Sequence, residues 1–225
     1  MSGMPTTRWS LVLQAAADDP EVARRAVGTL CALYREPLLA YFHRECGDRV
    51  RAEDLVQSLL ADLVARGDFA RADRDRGRLR SYLLGAARHR LQNERRRESV
   101  RREVALPEED AGPATALTPE DEFQLAWVRR TIEIALEDLE ADYARRGAAR
   151  LFQRMLPYLA PDGDEPPYAT IAAELGKQPG AVKTDVWRFR TRFGAKLRDL
   201  VAATTADEEV DGELRALASL RGARP

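Results

Sequence analysis

Apolar residues along this chain recur at spacings of three and four, not in alternation, and glycine and proline gather in a few places. That pattern predicts helices throughout and an all-α protein. Asp19-Pro20-Glu21 opens the first clear helix, with Val22, Ala26, Val27, Leu30 and Leu33 along one face and Pro37 expected to bend or restart it. A second helix is predicted over about 52–66, burying Leu55, Leu59 and Leu63 with Val56, Leu60 and Val64. Glu53 and Asp54 in its first turn suit the helix dipole. A third helix is predicted over 79–102, after a charged, glycine-containing segment.

The composition then changes. Residues 103–122 hold seven acids, no lysine or arginine, and Pro107, Pro113 and Pro119. This reads as an extended linker. Thr118-Pro119-Glu120-Asp121 closes it with a helix-start signature: threonine cap, proline in the first turn, acid three residues on. The helix that follows carries Leu125, Val128, Ile132, Leu136, Leu139 and Tyr143 on one face, and another is predicted over 148–156. Finally, a short helix at 168–175, a Gly176-Lys177-Gln178 turn and a longer helix opened by Pro179 form a helix-turn-helix pattern. The longer helix would be buried through Val182, Val186, Phe189, Phe193 and Leu197. Beyond about residue 203 lies an acidic tail with an apolar end at Leu214, Leu217 and Leu220.

Charge sharpens the picture. The 225 residues carry 36 basic and 37 acidic side chains, but the two signs are segregated. Residues 78–102 hold nine arginines against Glu94 and Glu98, a net of +7. With so few local acids, little i,i+4 pairing offsets self-repulsion, which points to a polyanionic partner, phosphate being the commonest. Arginine favours the same partner through its bidentate fork. The helix-turn-helix, 168–202, has a net of +4, and Lys183, Trp187 and Arg190 fall on one face of its second helix. Trp187 suits either packing against a neighbour or contact with DNA.

Other classes find little support. No apolar run approaches the ~18 residues of a membrane span, and the first 19 residues lack a signal-peptide pattern, so a cytoplasmic location without membrane partners is expected. Cys31 and Cys46 form no CxxC pair and have no histidine cluster nearby, which speaks against a disulfide scaffold or zinc site. His43 and His89 lie in no recognised catalytic motif, and phosphate-loop patterns are missing, so neither an enzyme nor a cofactor is expected.

In four segments the chain resembles the extracytoplasmic-function (ECF) sigma factors, promoter-recognition subunits of bacterial RNA polymerase. Ala52-Glu53-Asp54-Leu55-Val56-Gln57 is similar to the family's polymerase-binding helix. Gly77-Arg78-Leu79-Arg80-Ser81-Tyr82-Leu83-Leu84, continuing through Ala87, Asn93 and Arg95-Arg96-Arg97, resembles the segment that reads and melts the −10 element. Tyr168 through Gly176, then Gly180-Ala181-Val182-Lys183, resembles the −35 reader. Arg8-Trp9-Ser10-Leu11-Val12-Leu13 and Val210-Asp211-Gly212-Glu213-Leu214 are similar to a variant group with a tryptophan-containing start and an acidic finish.

The resemblance implies two helical domains, 6–102 and 121–202, joined by the linker 103–120 and followed by the tail 203–225. It implies core polymerase contacts at Glu53, Asp54, Leu55, Gln57, Ser58 and Asp62. It implies −10 contacts at Arg76, Arg78, Arg80, Tyr82, Arg88, Asn93, Arg95 and Arg96, and −35 contacts at Gln178, Gly180, Ala181, Lys183, Thr184, Trp187, Arg188 and Arg190. Expected partners are core RNA polymerase and promoter DNA, with an anti-sigma factor or a Ser/Thr kinase as candidate regulators.

The chain departs from the family pattern at two places. Ser58 stands where the family usually has glutamate, which makes it a candidate phosphosite that would restore negative charge. Residues 162–167 replace the tighter helix join common in the family. Two rival readings remain, a stand-alone helix-turn-helix regulator and an interaction protein whose arginine tract binds acidic proteins or RNA.

Overall fold

A computed structural model describes residues 10–71, 79–101, 117–159, 165–205, 210–212 and 214–215. Among these the chain is entirely helical, without strands. The helices are α1 Ser10–Ala15, α2 Pro20–Cys46, α3 Arg49–Ala65, α4 Asp68–Arg71, α5 Leu79–Arg101, α6 Pro119–Arg145, α7 Ala149–Met155, α8 Tyr168–Leu175 and α9 Pro179–Ala202, with a 3-10 turn at Leu156–Leu159. Most of the expected linker, Arg76, Arg78, Trp9, Leu217 and Leu220 lie outside the described residues.

Local chemistry sets the helix ends. The Asp19 carboxylate accepts the Glu21 and Val22 N–H groups at 2.9 and 3.4 Å, ahead of Pro20. Gly47, at φ +71°, closes α2 in the left-handed conformation that glycine adopts without strain. Of the two expected effects of Pro37, a restart does not occur: α2 continues through it. An internal proline costs about 3 kcal/mol, but Leu30, Leu33, Leu38 and Phe42 are at most 1% exposed on that helix. Burial at about 1.5–3 kcal/mol apiece outweighs the lost bond. Helix α3 starts three residues earlier than expected because Asp48 caps it, accepting the Val50 N–H at 2.8 Å.

Packing divides the chain within α6. Described residues up to Arg130, with 202–212, form one compact unit, and Thr131–Val201, with 214–215, form the other. The sequence places this boundary at 120/121. The first half of α6 joins the first unit because Phe123 and Trp127 are buried there, at 0% and 1% exposure. In that unit α2 packs on α1, α3 and α5, and α3 packs on α4 and α5.

The second unit is built around the aromatic trio Tyr143, Phe152 and Phe189, whose ring centres lie 5.7–5.9 Å apart. Ile171 of α8 and Val182, Val186 and Phe193 of α9 complete that core. Gly176, at φ +63°, caps α8, and the Lys177 N–H donates to the Ala172 carbonyl at 2.9 Å. The helix-turn-helix pattern therefore follows from a left-handed glycine turn between two apolar stripes.

Candidate nucleic-acid interface

Helix α5 exposes less of its charge than its composition implies. Arg80 is 8% exposed, donates to the Gln124 side chain at 2.6 Å, and lies with its guanidinium 4.6 Å from the centre of the Trp127 ring. It is inside the first unit, which corrects its expected place on a DNA-facing surface. Arg88 donates twice to Glu120, at 2.7 and 3.0 Å, and this pairing holds the Glu120 carboxyl below the ordinary carboxylate range. Arg90 bonds Asp62 and the Ser58 carbonyl, and Arg95 bonds Glu45 at 2.7 Å. Glu98, one of the tract's own acids, pairs with Arg51 of α3. Beyond the tract's own few acids, α2, α3 and α6 supply Glu45, Asp62 and Glu120. Arg96 stays exposed, and Arg88 and Arg95 keep about half their side-chain surface.

Between α3 and α5 lies a cleft of about 530 Å³. Tyr82, Ala86, His89, Asn93 and Arg97 line it from α5, at steps of four, three, four and four residues, so they form one helical stripe. Asp62 lines it from α3 and Arg66 from the C-terminal cap of that helix, beside Arg90. Tyr82 exposes 39% of its surface, and the Asn93 amide nitrogen is 3.2 Å from His89 Nδ1. The arrangement offers an aromatic face, amide and imidazole edges, and cations, which is what an unstacked nucleobase with its phosphate requires. Of the residues that the resemblance names as −10 contacts, Tyr82 and Asn93 line this cleft. Arg97, from the Arg95-Arg96-Arg97 run of the resemblance, lines it too, as do His89, Arg90 and Arg66, which the resemblance does not name.

The expected polymerase-binding residues separate. Glu53, Asp54 and Gln57 share a second cleft of about 360 Å³ with Arg35, Val50 and Leu60. Leu55 is 6% exposed and belongs to the core, so it offers no outer contact. This correction follows from helical phase, since Leu55 shares its stripe with buried Leu59 and Leu63. Ser58 is half-buried, its hydroxyl donating to the Leu55 carbonyl at 3.1 Å, and Asp62 turns toward α5. The exposed side of α3 is instead Val50, Asp54, Gln57, Ala61 and Val64. Their alternating steps of four and three keep them on one side of the helix, a seam in which Val50 and Val64 flank the polar Asp54 and Gln57.

In the second unit Gln178, Gly180, Ala181, Lys183, Thr184, Trp187 and Arg188 are all exposed around the start and middle of α9. Trp187 is 66% exposed, so packing within its unit does not account for it. Arg190 is exposed as well, but it is tied down. It donates to the Tyr158 carbonyl at 2.9 Å and pairs with Glu165, joining α9 to the segment before α8. Asp185, facing the turn, is held by Lys177 at 2.6 Å.

Among the described residues no helix is long and apolar enough to cross a membrane, and no group of histidine, cysteine or acidic side chains is placed to hold a metal. No family model, no curated protein and no solved structure matches the chain.

Proposed function

We propose that this protein is a promoter-recognition factor of the ECF sigma type, which binds core RNA polymerase and directs promoter recognition and strand opening. The observation that carries the reading is the double use of α3. Its outer side is the seam Val50–Asp54–Gln57–Ala61–Val64, and its inner side walls the cleft that Tyr82, His89 and Asn93 line from α5. A coiled-coil helix of a larger machine docks on the seam, while an unstacked base enters the cleft behind it. Stacking on Tyr82 contributes about 1–3 kcal/mol, and the Asn93 amide has the donor–acceptor edge that pairs with adenine. Capture of single-stranded bases then drives opening without ATP. In the second unit Lys183, Thr184, Trp187 and Arg188 read intact duplex from the major groove.

Ser58 fits this scheme as a site of control. A phosphate there would compete with Asp62 for Arg90, whose guanidinium already donates to the Ser58 carbonyl at 3.1 Å. Serine/threonine kinase action at Ser58 would tune polymerase binding, and equal core affinity of Ser58→Ala and Ser58→Glu would remove that role.

The test of the main proposal is transcription in vitro with purified core polymerase and genomic DNA, followed by mapping of RNA starts. New start sites that depend on the protein are expected. Failure of core polymerase to capture the chain would overturn the proposal. A second reading, a stand-alone helix-turn-helix regulator, draws on the internal pairing of the α5 arginines, which leaves α9 as a basic face of its own. Gel shifts of duplex DNA by the protein alone, with no effect of core polymerase, would favour it.

A further inference from the structure

The exposed side of α9 is organised around Trp187. At about 3.6 residues per turn, Lys183 lies about 40° to one side of it and Arg188 about 100° to the other. Gly180, Thr184 and Thr191 fill the strip between these two cations, and all six residues are exposed. The Thr184 hydroxyl donates to the Gly180 carbonyl at 3.1 Å, and the Thr191 hydroxyl to the Trp187 carbonyl at 2.9 Å. Neither threonine therefore offers a hydrogen-bond donor outward. A Cβ placed at Gly180 would meet nothing within 4 Å, so a partner can approach the backbone beside the indole. The indole thus stands in a strip that offers apolar contact and few donors, with a cation along each edge.

We infer that Trp187 reads the C5 methyl group of thymine in duplex DNA and so sets a base preference for the second unit. The inference deepens the duplex reading proposed above and rests on it. Cations along both edges match the two phosphate backbones that border a major groove about 12 Å wide. Base edges then face the strip between them. Among the groups displayed on those edges the thymine methyl is the apolar one, and apolar side chains are what recognise it. The indole N–H is a single donor and cannot form the bidentate bonds that identify guanine or adenine. In this arrangement Lys183 and Arg188 position the helix through phosphate, while the indole carries the sequence preference. Arg190, tied to Tyr158 and Glu165, takes no part.

The test begins with short duplexes of randomised centre, captured by the tagged full chain in the presence of core polymerase. The most enriched duplex is then made again with deoxyuridine in place of thymidine, one position at a time, which removes a methyl group and nothing else. At one or two positions this should weaken binding about fourfold, the effect of losing one buried methyl. Trp187→Ala, which keeps the fold because the side chain is exposed, should bring that ratio to about one. Equal binding of both forms by the unaltered chain would overturn the methyl reading and leave duplex recognition in place. A fourfold ratio that survives Trp187→Ala would take the role from Trp187. Unchanged duplex binding by Trp187→Ala, with weaker capture by core polymerase, would assign the indole to a protein partner instead. Enrichment of no sequence at all would overturn the duplex reading and this inference with it.

Discussion

Helices α5 and α9 are both long and rich in cations, but they use them differently. On α5, Arg80, Arg88, Arg90 and Arg95 reach acids or aromatic rings 28 to 50 residues away. On α9, Lys183 and Arg188 stay exposed around Trp187, and Arg190 alone of the expected group turns back to its own unit. Each unit also has a tryptophan bound to its role, Trp127 buried at 1% exposure beneath Arg80 and Trp187 exposed at 66%. The lesson is that a helix's net charge does not show which of its charges are available. Availability depends on acids that other helices bring into reach, and the cost of burying an arginine is met where a ring and an amide receive it.

The strongest way to break this contrast is to exchange the fates of the two tryptophans. Trp127→Ala should destabilise the first unit by about 3–5 kcal/mol, through lost burial and a lost platform for Arg80. Urea unfolding measures this, and a loss below 1 kcal/mol would contradict the buried role. Trp187→Ala should change stability by no more than about 0.5 kcal/mol. Its effect should appear as a roughly tenfold loss of duplex affinity, about 1.4 kcal/mol, in competition gel shifts.

Arg190→Ala tests the exception on α9. Loss of its bonds to Tyr158 and Glu165 should cost about 1–2 kcal/mol of second-unit stability and leave the salt slope of duplex binding unchanged. Lys183→Ala should do the reverse, flattening that slope by about 0.9 with little change in unfolding midpoint. A shallower slope for Arg190→Ala would return that residue to the DNA-facing group.

The smallest expected effect is a pH dependence on the α5 side. Arg88 holds the Glu120 carboxyl below its ordinary value, so the pair stabilises the fold above the ordinary glutamate value of about 4.3. That contribution is lost as pH falls through the lowered folded value. Because both side chains are partly exposed, the pair is worth only a few tenths of a kcal/mol. Stability curves of the unaltered chain and Glu120→Gln should therefore differ slightly at pH 7 and converge below pH 4. A difference that persisted at low pH would assign the effect to packing.

Much of the local structure was legible in advance. The Thr118–Asp121 signature is a reciprocal cap, with the Asp121 N–H donating to Thr118 Oγ1 at 3.1 Å and the Thr118 N–H to Asp121 Oδ2 at 3.0 Å. The Gly176 turn and the buried stripe Val182, Val186, Phe189 and Phe193 also follow from residues a few positions apart. Pro37 does not restart α2, because the core around it outweighs a local breaker. Among the cleft residues, Tyr82 and Asn93 are named by the resemblance, whereas His89 shares their side of α5 through steps of seven and four residues inside an arginine-rich tract.

By itself, then, the chain determined its all-helical character, its caps and the helix-turn-helix, because these depend on hydrogen bonds and apolar periods spanning about four residues. Only the tertiary structure decided that Arg80 faces inward, that Arg190 reaches back to Tyr158 and Glu165, that Leu55 is core, that α3 has an exposed side and a cleft wall, and that the Thr204 carbonyl receives the Leu79 N–H. Those outcomes depend on groups separated by tens to more than a hundred residues. Ion pairing and burial act on distance in space, which no local pattern encodes.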